Sequence, residues 1–118
     1  MNITSDPTAN ALVHLLDATA LRQRVLSNNV ANSDTPGYTR QDVSFQSELA
    51  DAIKEGNLQS FQPSVQADAT PSQRGDGNNV TLEREMTELN KNALLNQMAI
   101  QLLQSKIAIT RSAITGRS

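Results

Sequence analysis

Apolar residues recur at helical spacing in the first part of the chain. The stripe they form consists of Leu12, Leu15, Leu16, Leu26 and Val30. Spacing of this kind predicts an amphipathic helix that runs to about Ala31. Asp6 and Pro7 mark its start, because aspartate caps helix N-termini and proline tolerates the first helical position.

Alternating steps of four and three residues run without a break through the last third of the chain. This rhythm is typical of a coiled-coil seam and predicts a helix that Thr81 caps and Gly116 ends. The seam consists of Leu82, Met86, Leu89, Ala93, Asn96, Ile100, Leu103, Ile107, Thr110 and Ile114.

A second row on a neighbouring face of the same segment repeats the rhythm. It contains Leu95, Ala99, Leu102, Lys106, Ile109 and Ala113. One partner helix cannot cover both rows, so we expect the first helix to pack antiparallel on one of them. The other row is then left for a different subunit, which points to a filament or a ring.

Turn-forming residues dominate the middle of the chain. Asn32 can adopt the left-handed conformation that ends a helix, and Pro36 followed by Gly37 predicts a type II turn. A short helix over Phe45–Lys54 is expected, with a stop at Gly56. The rest of the middle is rich in glutamine, serine, proline and glycine, without periodicity.

These patterns predict a mainly α fold in which long N- and C-terminal helices pair as a coiled coil. A loop-rich, partly flexible middle segment separates them. We expect one structural domain divided into an N-terminal helix at 1–31, a turn and flexible segment at 32–80, and a C-terminal coiled-coil helix at 81–118.

Composition excludes several classes of function. The net charge is −2, the sequence pI is near 5.2, and no cluster of lysine or arginine appears, so a nucleic acid partner is not expected. No apolar run approaches the roughly 20 residues of a membrane span, and the N-terminus does not resemble a signal peptide. A site of action outside the cytoplasm would therefore require a specialised export machine.

Candidate catalytic groups are sparse. His14 and Asp17 share a helix face, but no nucleophile or second histidine accompanies them, so a packing role is favoured. Two clusters of acidic residues are expected to be solvated. The first lies near a helix start and consists of Glu83, Glu85 and Glu88; the second lies on one helix face and consists of Glu48, Asp51 and Glu55. We therefore expect no enzymatic activity, no cofactor and no metal site.

The stretch from Leu26 to Tyr38 resembles the N-terminal signature of flagellar axial proteins, the family of rod, hook and hook-associated subunits. The matching positions are Asn28, Asn29, Ala31, Asn32, Thr35, Pro36, Gly37 and Tyr38. The segments 41–49 and 80–89 are similar to those of the proximal rod subunits within that family.

This resemblance implies a structural subunit of the flagellar basal body rod, which packs through its helices into a torque-transmitting shaft needed for motility. It implies self-assembly with other rod subunits and the rod base, and export by the flagellar type III apparatus to the periplasm without a cleaved signal peptide. Phe45 and Leu49 have the form of the family's export-gate motif.

Several alternatives remain open at this point. The chain could be another rod subunit, or a cytoplasmic coiled-coil adaptor or export chaperone that never polymerises. A small hydrolase built on His14 is a further hypothesis. For a rod subunit, the expected helix-packing residues are Leu12, Leu16, Leu26, Val30, Leu82, Met86, Leu89, Leu95, Ile100, Leu102, Leu103, Ile107, Ile109 and Ile114.

Overall fold

The computed structural model describes residues 6–116 as an elongated body measuring 65 × 26 × 14 Å. Its elements, in chain order, are helix α1 (Pro7–Ala31), strand β1 (Gln41–Ser44), helix α2 (Gln46–Glu55), a 3-10 turn (Leu58–Ser60), strand β2 (Ser64–Ala67) and helix α3 (Leu82–Thr115). The predicted mainly α fold with paired terminal helices is confirmed. Within residues 6–116, no helix has the combination of length and apolar character that crossing a bilayer requires.

Helix α1 begins as the sequence predicts. The Asp6 carboxylate accepts hydrogen bonds from the backbone N–H of Thr8 at 2.9 Å and of Ala9 at 3.3 Å, and Pro7 is the first helical residue. The helix also ends at the predicted place, but Asn32 has φ −105° and is not left-handed. Instead, the Asn32 side chain donates to the carbonyl of Asn28 at 2.9 Å, which satisfies one of the last helical carbonyls.

Helix α3 ends at Gly116, which has φ +71°, as predicted. Thr81 occupies the N-cap position, as predicted, but its side chain makes no capping hydrogen bond. Lys106 of α3 forms an ion pair with Asp6 at the start of α1 at 2.9 Å, and the two helices run antiparallel. The predicted segments extend to residues 1–5 and 117–118, which lie outside the described residues.

Helix α1 packs on a face of α3 that lies between the two predicted rows. The buried residues of α3 are Glu85, Asn92, Ala99 and Thr110. The prediction that α1 covers one whole row is therefore wrong. Hydrogen bonds explain the shift, because the Asn92 side chain donates to the Thr19 carbonyl at 2.8 Å and the Asn96 side chain donates to the Thr19 hydroxyl at 2.7 Å. The apolar rhythm carries no information about such contacts.

The middle segment contains a two-stranded antiparallel sheet that the sequence analysis did not predict. Strands β1 and β2 pair from Gln41 opposite Ala67 to Ser44 opposite Ser64. Only Val43 of these four-residue strands is buried, and β2 is exposed throughout. Strands this short, with one buried side chain, leave almost no alternating apolar pattern to detect.

Helix α2 agrees with the predicted short helix to within one residue at each end, and Gly56 closes it with φ +69°. It lies against α1 and completes a small apolar core. The core consists of Ala18, Val43, Phe45, Leu49, Ala52 and Phe61. This arrangement covers one face of the helix pair with α2 and the sheet, and Leu95 of α3 packs at the edge of that core.

Candidate functional site

Asn29 is the buried anchor of the signature region. Its side-chain amide donates to the Gln41 carbonyl at 2.7 Å and to the Glu85 carboxylate at 3.0 Å. Its side-chain oxygen accepts from the Gln41 backbone N–H at 3.0 Å and from the Tyr38 hydroxyl at 3.1 Å. All four hydrogen-bonding positions of the Asn29 side chain are thus used, and they tie α1 to β1 and α3.

Asn78, which no sequence pattern singled out, closes the C-terminal end of α1. Its buried side-chain amide donates to the carbonyls of Asn32 at 2.9 Å, Ser33 at 3.2 Å and Thr35 at 2.9 Å. Its side-chain oxygen accepts from the Val80 backbone N–H at 2.7 Å. The segment before α3 therefore holds the turn that follows α1 in place through its backbone carbonyls.

The turn after α1 fits against the same segment. Gly37 has φ +73°, the positive φ that the sequence predicts there, and its N–H donates to the Asp76 carbonyl at 2.8 Å. A Cβ atom on Gly77 would lie 3.6 Å from the Cα of Gly37. The hydroxyl of Thr35 also donates to the side-chain oxygen of Asn32 at 3.1 Å. Two glycine-containing turns thus pack directly on each other.

The structure gathers the eight signature residues at one end of the molecule. Hydrogen bonds or backbone geometry account for Asn29, Asn32, Thr35, Gly37 and Tyr38 in the fold of the single chain. Asn28, Ala31 and Pro36 are exposed. Thr35 and Gly37 are exposed as well, so five of the eight signature positions lie at the surface.

Arg40 is the centre of a buried charge network, and only 1% of its surface is exposed. Its Nε lies 2.6 Å from one oxygen of Glu85, and its Nη2 lies 3.2 Å from the other. Its remaining contacts are with Asp68 at 2.9 Å and Asp42 at 3.3 Å. Bidentate pairing and three carboxylates offset the cost of burying this guanidinium, whose pKa they raise despite its burial.

The network continues outward on both sides. Asp42 also pairs with Arg22 of α1 at 2.8 Å, and Arg22 pairs with Glu88 of α3 at 2.8 Å. Burial tends to raise the pKa of the Asp42 carboxyl, but the hydrogen bonds from Arg22 and from the Val43 N–H outweigh it, so that this pKa is lowered. The Thr70 hydroxyl and N–H, together with the Arg40 guanidinium, also lower the pKa of Asp68. Charge pairing thus joins both long helices to the sheet.

The expectation that Glu85 and Glu88 are solvated is wrong. Glu85 is fully buried against Arg40, and Glu88 is half-buried in its pair with Arg22. Acidic residues at a helix start normally face water, so composition alone favoured the solvated interpretation. The heptad spacing of Glu85 from Asn92 and Ala99 is the one signal that could have placed it on the buried face.

Phe45 and Leu49, the two positions of the predicted export-gate motif, both lie in the apolar core. Their exposed fractions are 2% and 6%. They face α1 beside Ala18 and Phe61, so no partner can reach either side chain in the folded chain. His14 lies nearby, and its ring meets the Phe61 ring edge to face, with centroids 5.7 Å apart.

The predicted helix-packing residues fall into three sets. Leu26 is buried. The half-buried set, shared between α1 and α3, is Leu12, Leu16, Val30, Leu89, Leu95 and Leu103. The exposed set, all on α3, is Leu82, Met86, Ile100, Leu102, Ile107, Ile109 and Ile114.

The exposed apolar residues of α3 occupy two flanks of the helix. The first flank, together with an adjacent alanine of α1, forms a surface that we term the open face. It lies on the side of the helix pair that α2 and the sheet do not cover. It consists of Ala20, Met86, Ala93, Ile100 and Ile107. The second flank, termed the ridge, consists of Leu94, Met98, Leu102 and Ile109.

Comparisons with known proteins give a consistent picture. The family model described as flagella basal body rod protein matches residues 16–39, which cover most of α1 and the signature turn. A protein of Aeromonas hydrophila named flagellar basal body rod protein FlgB is 32% identical over 98% of this chain and 98% of its own. Proteins of the same name from Bacillus subtilis and Borrelia hermsii are 31% and 35% identical, over 92% and 74% of this chain and 94% and 77% of their own.

Proposed function

The chain belongs to the FlgB family of flagellar basal body rod proteins and is a structural subunit of that rod; we propose that it assembles there through the apolar flanks of α3. Its location is the flagellar basal body, where it joins other rod components. The interaction with those components is packing of one helix on another, and the rod transmits torque because such packing is dense and stiff.

The observation that carries this proposal is the surface of α3. Nine large apolar side chains on this one helix are at least 39% exposed: Leu82, Met86, Leu94, Met98, Ile100, Leu102, Ile107, Ile109 and Ile114. Scattered apolar residues are normal on a protein surface, but contiguous apolar flanks along a helix mark an interaction site. The free energy gained by burying these flanks between subunits drives the assembly.

The test of this proposal is a charge placed on the open face. Ile107→Asp should leave the fold intact, because Ile107 is 39% exposed, but it should block incorporation into the rod by burying an unpaired carboxylate in the contact. Gln101→Asp, on the polar outer side of the same helix, is the control and should assemble normally. Mass spectrometry of purified basal bodies and swimming assays measure the outcome. Normal rods carrying Ile107→Asp would contradict the proposal.

We further propose that the chain reaches the periplasm through the flagellar type III export apparatus. The apparatus recognises Phe45 and Leu49 while the chain is unfolded. Both side chains are buried in the folded protein, so their recognition requires a chain that has not yet folded. The same two residues then become part of the core after export. A single motif can thus act first as an export signal and later as packing.

Two phenylalanines of similar burial separate export from folding. Phe45→Ala and Phe61→Ala should both destabilise the folded chain, by about 3–5 kcal/mol, because both remove a buried ring. Only Phe45→Ala should reduce the amount of chain exported from the cytoplasm, as measured by immunoblotting of periplasmic and cytoplasmic fractions. Equal export of the two variants would overturn the role of Phe45 as a signal.

The alternatives are not favoured. A cytoplasmic adaptor or export chaperone would be absent from purified basal bodies. The match to a FlgB protein over 98% of this chain favours a FlgB-type subunit over another rod subunit. A hydrolase built on His14 predicts that His14→Ala abolishes motility with an intact rod. Mass spectrometry of stripped rods distinguishes a rod subunit from a cytoplasmic adaptor or export chaperone.

A further inference from the structure

The small sheet has two outer edges, and the described part of the chain closes one of them. In an antiparallel pair, backbone N–H and carbonyl groups face the partner strand at every second position and face outward at the others. The Asp68 N–H donates to the Arg40 carbonyl at 2.9 Å, so positions 40, 42 and 44 face positions 68, 66 and 64. The outward-facing positions are therefore Gln41, Val43, Val65 and Ala67.

Polar side chains cover the outer edge of β1. The Gln41 N–H donates to the side-chain oxygen of Asn29 at 3.0 Å, and the Gln41 carbonyl accepts from the amide of the same side chain at 2.7 Å. The Asn29 amide thus takes the place that a peptide group of a third strand would have. The Val43 N–H donates to the Asp42 carboxylate at 2.7 Å. This edge is already occupied, since α1 carries Asn29 and packs against β1.

The outer edge of β2, which we term the free edge, is different. Within residues 6–116, no hydrogen bond reaches the N–H or the carbonyl of Val65 or Ala67. All four side chains of β2 are exposed, and the strand contains neither the lysine nor the proline with which proteins often protect such an edge. Val65 lies opposite the buried Val43 but is itself 45% exposed. An edge of this kind is a template for one more strand.

We infer that the free edge accepts one extended segment of a different protein as a third strand of the sheet. Val65 and Ala67 each offer it one N–H and one carbonyl. The segment has to be extended and free of proline where it pairs, because proline has no N–H to donate. It should place an apolar, β-branched side chain beside Val65, on the face of the sheet that contains Val43. The inference rests on the proposed function for the location of this partner, which is the rod.

A second copy of the chain does not fit as the donor of this strand. Of the two strands within residues 6–116, β1 has its outer edge covered by Asn29, so β2 is the strand that a copy could offer. Two identical edges pair about a twofold axis, and that contact closes a pair. A rod needs contacts that allow further subunits to add. The strand is therefore expected from another protein.

The contact is small and belongs to the assembled state. Strand β2 spans four residues, so an added strand forms few hydrogen bonds and covers little apolar surface beyond Val65. It would add to the helix packing proposed above, which holds the partner nearby at a high effective concentration. A third strand would also strengthen the sheet, because two strands alone are marginally stable. The free edge must therefore be tested in the rod.

Hydrogen–deuterium exchange of the isolated chain and of the chain in purified basal bodies tests the inference. Peptic peptides that contain β2 are weighed after exchange. The amide hydrogens of Val65 and Ala67 should exchange at least about tenfold more slowly in basal bodies than in the isolated chain. Unchanged exchange of β2, with the chain present in basal bodies, would overturn the inference.

Two variants separate strand pairing from simple burial. Val65→Pro removes an outward-facing N–H and leaves the pairing of β2 with β1 intact, since proline is tolerated at such edge positions. Val65→Thr keeps the N–H and the branched shape. Both isolated variants should keep the urea midpoint of the natural chain. In basal bodies, Ala67 should lose its slow exchange in Val65→Pro and keep it in Val65→Thr. Slow exchange of Ala67 in both variants would mean burial without a strand and would overturn the inference.

Photocrosslinking identifies the segment beside the free edge. Gln66, whose side chain is exposed, is replaced by the photoreactive residue p-benzoylphenylalanine, and crosslinked peptides from basal bodies are sequenced by mass spectrometry. We expect a single extended, proline-free segment of another rod protein. Crosslinks to residues 64–67 of a second copy would overturn the choice of partner. In these cases the chain is present in the rod, whereas its absence from basal bodies would contradict the proposed function and, with it, this inference.

Discussion

Polar residues carry much of the specific structure at the scale of single residues. Asn29 and Asn78 are fully buried, and each uses its side chain to satisfy backbone groups of distant segments. Because an unpaired polar group in the interior is costly, side chains in these positions accept few replacements. The adjacent Asn28 is exposed, although it belongs to the same signature. Neighbouring asparagines thus have different roles.

Asn29→Ala should lower the free energy of unfolding by about 2–4 kcal/mol, because it removes four hydrogen bonds and takes away the side-chain partner of the Gln41 N–H and carbonyl. Urea unfolding followed by circular dichroism measures the change. Asn28→Ala is the matched control and should change stability by less than about 0.5 kcal/mol. Equal effects of the two substitutions would contradict the anchoring role of Asn29.

Glu85→Gln should destabilise the fold by about 3–5 kcal/mol, since it leaves the buried Arg40 guanidinium without its bidentate partner. Glu83→Gln, two residues away and exposed, should have almost no effect. The two variants differ only in which glutamate loses its charge, so urea unfolding compares them directly. A stable Glu85→Gln variant would mean that Asp42 and Asp68 suffice to balance Arg40.

At the scale of elements, the small sheet acts as a clamp on the end of the helix pair. The contact between α1 and α3 includes the polar residues Thr19, Asn92 and Asn96, so little apolar surface is buried between the two helices. The buried oxygen of the Asn92 side chain has no hydrogen-bond partner in the described part of the chain, which weakens this seam further. Arg40 on β1 and Asp68 just after β2 supply the charge contacts that hold the end of the pair closed.

This clamp predicts a loss of stability in acid. The pKa of Asp68 in the fold lies below its ordinary value of 3.8, so the unfolded chain binds protons more readily than the folded one. The stabilisation is therefore complete above about pH 5 and is lost progressively as the pH falls through 3.8 towards the folded-state value. Asp42, whose pKa is also lowered, adds to the same effect.

Urea midpoints measured between about pH 6 and about pH 3 test this pH dependence. The natural chain should show a falling midpoint below about pH 4, and Asp68→Asn should show a lower but flatter profile. Asp51→Asn, at an exposed position of α2, serves as the control and should keep the natural slope. A midpoint that is constant over this range would exclude the carboxylates of the clamp as a source of stability.

The whole molecule is long and thin, with a small core and extensive exposed apolar surface. Within residues 6–116, the core cluster around α2 and the sheet contains six buried apolar residues, while α3 extends beyond them along the 65 Å axis. Surface of this kind contributes nothing to the stability of a single copy and becomes useful only when a neighbour covers it. The free chain should therefore associate weakly and reversibly as its concentration rises.

Replacing Met98 and Leu102 together with glutamine should weaken this association without unfolding the protein. Both side chains are more than half exposed, so the free energy of unfolding should change by less than about 0.5 kcal/mol. Sedimentation velocity over a range of concentrations measures the association. The same replacement at Leu89 and Leu103, which are half-buried against α1, should instead destabilise the fold. Unchanged association of the ridge variant would show that another surface is responsible.

The sequence by itself determined the helices and most of their ends. Asp6 with Pro7, Gly56 and Gly116 act within one turn of the chain, so local chemistry is sufficient to predict them. The positive φ of Gly37 and the pairing of the two long helices were predictable for the same reason, since apolar spacing and turn residues are local signals.

Only the tertiary structure decided which face of α3 meets α1, and which residues close the clamp. Arg40 and Glu85 are 45 residues apart, and Asn78 caps carbonyls more than 40 residues before it. Apolar periodicity records which positions can be buried, but it does not record hydrogen-bond partners that meet only after folding. Buried polar contacts occupy the face of α3 that meets α1, and the apolar flanks of α3 remain exposed for neighbouring subunits.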